Sequence, residues 1–286
     1  MKKPPVELQI ADSITHNVRV KVWPDGSRDV LITERAVFRE SGWEVSNKWD
    51  SDPAPFDWDS LGPEPEAVEK SQYQLARMEA EEAERAADNL DRAKRRARSA
   101  VYDLAMASDM AYFVTLTLNR EKVDRYDIRE ITRKLNAWLD NQVRRRGLAY
   151  VLVPERHKDG AVHFHGFFNA ALPVVDSGHK DAAGHTVFNL PGWTLGFTTA
   201  IALYGDKRAA VGYCCKYISK AQEKIGGRWY YSGGPLRRPR IEYADVPFRD
   251  FVTESGAEEY QIRSLGMAAA SLKIDAPEGK LTISGK

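Results

Sequence analysis

The chain has 286 residues, 43% hydrophobic and 29% charged, with a formal charge of +1; these ordinary values fit a globular protein with a sizeable core and exclude a disordered or low-complexity chain. Near-neutrality also means that a polyanionic partner is met by local patches and not by the field of the whole molecule. The two cysteines, Cys214 and Cys215, are adjacent, so no disulfide framework is possible, and the N-terminus lacks both a signal core and the ~20 apolar residues of a membrane span; the reading is a cytoplasmic protein with no membrane partner.

Residues 1–64 read as an extension. The segment VRVKVWPDGSRDVLI carries two β-type runs around Pro24-Asp25-Gly26-Ser27, a hairpin signal. Residues 51–65 contain four prolines and many acids and read as a linker. From 65 to 108 the chain is rich in Ala, Glu, Arg and Leu and predicts one long helix, acidic first and basic later, in the sense of the helix dipole. Its RAKRRARSA segment offers Arg95 and Arg96 to DNA phosphates, with a solvated helix face as the plainer alternative.

The core is expected over 109–245. Tyr112–Asn119 alternates as a strand. Residues 127–146 follow as an amphipathic helix, with Asp127 as cap, Gly147 as stop and the basic cluster Arg144, Arg145, Arg146 at its end. Residues 149–155 and 161–169 form two strands joined by a His-Lys-Asp-Gly turn, hence a hairpin. The polar stretch 172–191 reads as a loop or flap. A strand over 193–203, a helix over 208–225 and a short strand over 228–234 complete the core. Arg237 and Arg238 open a further basic cluster, and 246–286 reads as a mixed tail. This order predicts an α+β fold: a mostly antiparallel sheet with helices packed on it.

Chemistry concentrates in two places. His163 and His165 alternate along one strand, so both imidazoles share a face. The hairpin returns Glu155 to their neighbourhood, and two imidazoles with one carboxylate suit a divalent cation, Mn2+ or Mg2+ for phosphodiester chemistry, with Zn2+ the tighter general binder. His157 is a competing ligand that falls in the turn. Two packed or surface histidines are the alternative. Downstream, YCCKYISK places Tyr213 and Tyr217 four apart on one helix face, each heading a Tyr-x-x-Lys with Lys216 and Lys220. A phenol of pKa ~10 needs activation to attack phosphorus; aromatics packing on the sheet are the alternative. Thr115 and Thr117 share one face of the first core strand, where threonine is common for structural reasons. No P-loop and no Gly-x-Ser-x-Gly is present.

In this order the segments FVTLTLN, PERHKDGAVHFHGFF and YCCKYISK resemble the three motifs of rolling-circle replication initiators of the HUH endonuclease superfamily, in the two-tyrosine phage and plasmid branch. WTLGF and RWYYSGGPLRRP add weaker similarities, and the resemblance covers about residues 95–240. It implies a five-stranded antiparallel sheet of ferredoxin-like character, His163 and His165 as metal ligands with Glu155 as the third, and Lys216 as the lysine of the third motif. It implies Tyr213 and Tyr217 as nucleophiles that form a 5′-phosphotyrosyl link and free a 3′-OH. The implied partners are single-stranded or hairpin origin DNA, a host helicase and a DNA polymerase. A single-strand DNA transposase and a non-catalytic DNA-binding regulator of replication remain alternatives.

Overall fold

The computed structural model describes residues 7–10, 15–38, 72–204, 207–262, 266–274 and 282–284. In chain order these form β1 (Glu7–Ile10), β2 (Thr15–Val22), β3 (Arg28–Phe38), α1 (Gln72–Ala107), β4 (Tyr112–Leu118) and α2 (Ile128–Arg146). Next come β5 (Tyr150–Arg156), β6 (Val162–Phe168), β7 (Val175–Lys180), β8 (Thr186–Asn189), β9 (Gly196–Ala202) and α3 (Lys207–Lys220). The chain continues as β10 (Tyr231–Gly233), β11 (Arg240–Asp245), α4 (Phe248–Ser255), β12 (Glu258–Ile262), β13 (Met267–Ile274) and β14 (Thr282–Ser284). The fold is α+β, as the sequence predicts. The proline-rich linker and residues 65–71 of the expected long helix lie outside the described residues. Among the described residues no helix is long and apolar enough to cross a membrane.

The chain divides into two compact units, residues 1–88 with 240–286, and residues 89–239. In the first, seven strands pair in the order β12-β13-β3-β2-β11-β1-β14, antiparallel except for β1 with β14. The expected N-terminal hairpin is present as β2–β3, its turn held by Asp25 Oδ1, which accepts from the backbone N and Oγ of Ser27. Alternation buries Val18, Val20, Val30 and Ile32 against Ala268, Ala270 and the α4 residues Phe248 and Phe251. The segment read as a tail therefore carries α4 and three strands, and those strands belong to the same sheet as β2 and β3.

The second unit holds another seven-stranded antiparallel sheet, β10-β5-β6-β4-β9-β8-β7. Its first five strands are those expected. The stretch 172–191 corrects the reading of a loop or flap: it is the β7–β8 hairpin, which extends the sheet beyond β9. Polar composition conceals it because its turn is organised by a side chain, Asp181 Oδ1, which accepts from the backbone N of Ala183 and of His185.

The two faces of this sheet differ. Val114, Leu116 and Leu118 of β4, Leu152 of β5 and Phe164 and Phe168 of β6 form one core with Ile131, Leu135, Trp138 and Leu139 of α2. Helix α2 begins where Asp127 Oδ1 accepts from Arg129 N and Glu130 N at 2.8 and 3.1 Å, and ends at Gly147 with φ of 68°, a left-handed conformation that favours glycine. The alternate residues Thr115 and Thr117, Val153 and Glu155, and His163 and His165 point to the opposite face, the side on which α3 places its tyrosines.

The long helix also departs from expectation at its end. Its last turn carries no basic side chain, so the charge gradient along it does not reach the turn where a dipole contribution is largest. The cation there comes from α3: Lys207 Nζ donates to the carbonyls of Met106 and Ser108 at 3.2 and 2.6 Å. Cys215 Sγ donates to Arg98 O at 3.6 Å, tying α3 to the same helix.

Candidate functional site

Register builds the site before any side chain is considered. Across β5, β6 and β4, Glu155 lies opposite His163 and His163 opposite Thr117. One pleat along, Val153 lies opposite His165 and His165 opposite Thr115. Gly166 follows His165, and a Cβ there would run into the carbonyl of Val151, so the close approach of β5 to β6 at the histidines requires glycine.

The side chains join these rows. His165 Nε2 lies 3.0 Å from Glu155 Oε2, and its Nδ1 lies 3.1 Å from Thr115 Oγ1. His163 Nδ1 lies 3.2 Å from Thr117 Oγ1. His157, expected to fall away in the turn, instead has its ring 4.6 Å from that of His163, which makes it a fourth candidate ligand. Burial holds the pKa of both strand histidines below the usual imidazole value. At His163 the neighbouring His157 and His165 act in the same direction, while Glu155 opposes it at His165. Both rings are therefore neutral near pH 7 and keep a lone pair for coordination.

Helix α3 brings the phenols onto this pair. Tyr217 stacks on His165 with ring centroids 4.3 Å apart and planes 5° apart. Tyr217 Oη donates to Tyr213 Oη at 3.1 Å, and Tyr213 packs edge-on against Phe113 at 6.2 Å. Burial, followed by the hydrogen bond to Tyr213, raises the Tyr217 pKa far above that of a free phenol. Tyr213 is 52% exposed. The chain thus places both tyrosines, both histidines and Glu155 in one contiguous cluster. A cleft of about 400 Å³ opens from it, with Glu155 and Tyr217 in its wall. Lys220 also lines this cleft; Lys216 is exposed on α3 and does not line it.

A divalent cation fits the chemistry of this donor set. The imidazoles are neutral, each has its Nδ1 on a threonine hydroxyl, and a carboxylate adjoins; metal-binding histidines are commonly oriented in this way through the second ring nitrogen. The 3.0 Å between His165 Nε2 and Glu155 Oε2 matches two adjacent corners of an octahedron with metal–ligand distances of ~2.1 Å. Among the described residues no three His, Cys, Asp or Glu side chains already converge as a cage, because Glu155 is turned onto His165. The cysteines play no part. Cys214 and Cys215 are buried, and burial pushes the Cys215 thiol up to about 11 and that of Cys214 higher still.

The basic clusters lie elsewhere. Arg144, Arg145 and Arg146 occupy the last turn of α2, which packs on the sheet face opposite the histidines. Arg95 and Arg96 are exposed on α1, next to Lys94, whose Nζ lies 5.8 Å from the Trp229 ring. Arg237 pairs with Asp109 at 3.1 Å, and Arg238 is exposed. None of these arginines enters the histidine–tyrosine cluster. Arg156 belongs to no motif in the sequence, although it sits at the end of β5 beside Glu155. Its Nε donates to Glu223 Oε1 at 2.7 Å at the rim of the cleft.

Residues 111–222 match the family of replication-associated proteins typified by ORF2. No curated protein and no solved structure matches the chain. The matched span runs from the start of β4 to just beyond α3, so it contains every residue of the cluster and lies wholly within the second unit. The similarity to replication-associated proteins points to a role in replication.

Proposed function

We propose that the chain is a rolling-circle replication initiator of the two-tyrosine HUH type, an origin-specific endonuclease that nicks and rejoins single-stranded DNA. The observation that carries this reading is the contact between the two halves of the site: Tyr217 lies flat on His165, and its hydroxyl is 3.1 Å from that of Tyr213. Packing alone gives no reason for two phenol oxygens to meet beside two neutral imidazoles and a carboxylate.

His163, His165 and Glu155, with His157 close by, would hold Mn2+ or Mg2+. When bound, such an ion makes the scissile phosphate more electrophilic and offsets the charge that builds up on it. The chain's own part is positional and nucleophilic. A tyrosine oxygen attacks phosphorus and loses its proton to water, while the bond from phosphorus to O3′ breaks. The departing O3′ takes a proton and becomes the primer end, and the 5′ phosphate stays on the tyrosine. Rejoining is the reverse: a 3′-OH attacks the phosphotyrosine and returns the phenol. With two phenols side by side, one can hold a 5′ end while the other cuts a regenerated origin. Lys220, on the cleft wall, and Lys216, on the exposed side of α3, supply positive charge for the strand. A host helicase opens the duplex, and a host polymerase extends the 3′-OH.

The test is a covalent-adduct assay. A single-stranded origin oligonucleotide with Mn2+ is expected to give an SDS-stable protein–DNA species that disappears in EDTA and in the Tyr213→Phe/Tyr217→Phe double variant. Cleavage that persists in the double variant refutes the tyrosine assignment. Tight origin binding by the unaltered protein with no adduct under any divalent cation would favour the non-catalytic regulator instead.

A further inference from the structure

The cleft beside the cluster has a composition that cutting and rejoining alone do not explain. It runs between the end of β5 and the loop after α3, with Pro154 and Ile225, both buried, as an apolar floor. Arg156 stands at its rim, fixed by Nε to Glu223 at 2.7 Å and by Nη1 to Gly160 O at 3.2 Å. Lys220 makes no ion pair among the described residues, and Gln222 is exposed on the same wall. Its volume of about 400 Å³ falls within the range of small-ligand sites, roughly 300–1,000 Å³.

We propose that this cleft seats one nucleotide of the single strand immediately beside the scissile phosphate, and that Gln222 reads its base. The inference rests on the nuclease reading above and adds a specificity site to it. A nucleotide presents an apolar base face, a phosphate and a polar base edge. Pro154 and Ile225 offer a surface for the first, and Arg156 and Lys220 offer charge to the second. The amide of Gln222, a donor and an acceptor side by side, matches the adjacent N6 and N7 of adenine. Glu155 and Tyr217 form the inner wall, so a nucleotide in the cleft is the direct neighbour of the phosphate under attack. Arg156, already held at two nitrogens, binds without first being ordered.

An abasic scan tests this. The Tyr213→Phe/Tyr217→Phe protein, which keeps the cleft and cannot cut, is titrated in EDTA with a single-stranded oligonucleotide that the unaltered protein cleaves. One base at a time is removed, and affinity is read by fluorescence anisotropy. One position flanking the mapped nick is expected to cost about tenfold when its base is removed, and to favour adenine over pyrimidine by a similar factor. Adding Gln222→Ala should shrink that adenine preference to under about twofold while leaving the other positions unchanged. Arg156→Gln should weaken all oligonucleotides together and lower the salt slope by about one phosphate. Because both residues are exposed, circular dichroism of the variants should match the parent. A flat scan, or a profile that Gln222→Ala does not alter, overturns the subsite while leaving the nuclease reading intact. A protein that neither cleaves nor binds any single strand overturns both.

Discussion

Replacing Thr115 by valine probes the least conspicuous part of the cluster. Thr115 Oγ1 lies 3.1 Å from His165 Nδ1, and the other ring nitrogen faces Glu155 at 3.0 Å. With no cation, Nε2–H donates to the carboxylate and Nδ1 accepts from the threonine hydroxyl; with a cation on Nε2, the proton sits on Nδ1 and the same hydroxyl accepts. A hydroxyl serves both tautomers and a methyl serves neither. Valine keeps the shape and the β-branch at a strand position, so the structural cost is one neutral hydrogen bond, about 1 kcal/mol, or a fall in Tm of about 2–4 °C for a unit of this size. Loss of an orienting partner typically costs about 10–100-fold in metal affinity, about 1.4–2.7 kcal/mol. Half-saturating Mn2+ for adduct formation should therefore rise by about that factor. Thr115→Ser should return most of it, and direct Mn2+ binding followed by electron paramagnetic resonance should shift in parallel. An unchanged Mn2+ dependence with a normal adduct yield would refute the argument that Thr115 orients a metal-binding histidine.

Other changes separate framework from chemistry. Gly166→Ala drives a methyl into the Val151 carbonyl and is expected to cost about 3 kcal/mol or more, read by calorimetry as a Tm lower by about 6–12 °C; a Tm within a degree of the parent would show that β5 and β6 separate easily. Asp127→Ala removes the acceptor for Arg129 N and Glu130 N and should cost about 1 kcal/mol in urea unfolding without altering Mn2+ dependence. Cys214 and Cys215 should resist a thiol reagent in the native protein and both react after denaturation, because burial holds them protonated; rapid native labelling would contradict the packing of α3.

The parts of the fold legible in the sequence are those whose signals are local. Helix α2 is bounded by Asp127 and Gly147 as read, since a cap and a left-handed glycine act within one turn. The alternation of His163 and His165 places both on one face whatever the tertiary structure. What pairs with what is not local. The strands β11 and β13 join β2 and β3 across most of the length of the chain, and no periodicity encodes the partner of a strand. The hairpin β7–β8 escapes a reading by pattern because its turn is held by Asp181 and its strands lack apolar alternation. Within the site, the sequence identifies the histidines and tyrosines, but the stacking of Tyr217 on His165 and the approach of His157 to His163 depend on how α3 docks and how the turn closes. Arg156 carries no motif; only the closure of the cleft gives it a partner.

The same sheet explains why the site tolerates so dense a set of polar groups. Along β6 the residues alternate: Phe164 and Phe168 face α2, while His163 and His165 face α3. The first set is fully buried in an apolar core that includes two tryptophans, Trp138 and Trp193, and burial on that scale is what stabilises the strand. The second set contributes little burial, and its pairing with Thr115, Thr117 and Glu155 satisfies polar atoms without adding much net stability. Stability and chemistry are thus carried by opposite faces of one strand, with Gly166 holding that strand against β5. Substitutions at Phe164 or Leu116 should lower stability and carry activity down only through unfolding. Substitutions at His163, Glu155 or Tyr213 should remove activity and leave the melting curve nearly unchanged. A paired set of melting and adduct measurements in which a histidine variant loses as much stability as a phenylalanine variant would show that the two faces are not energetically separate.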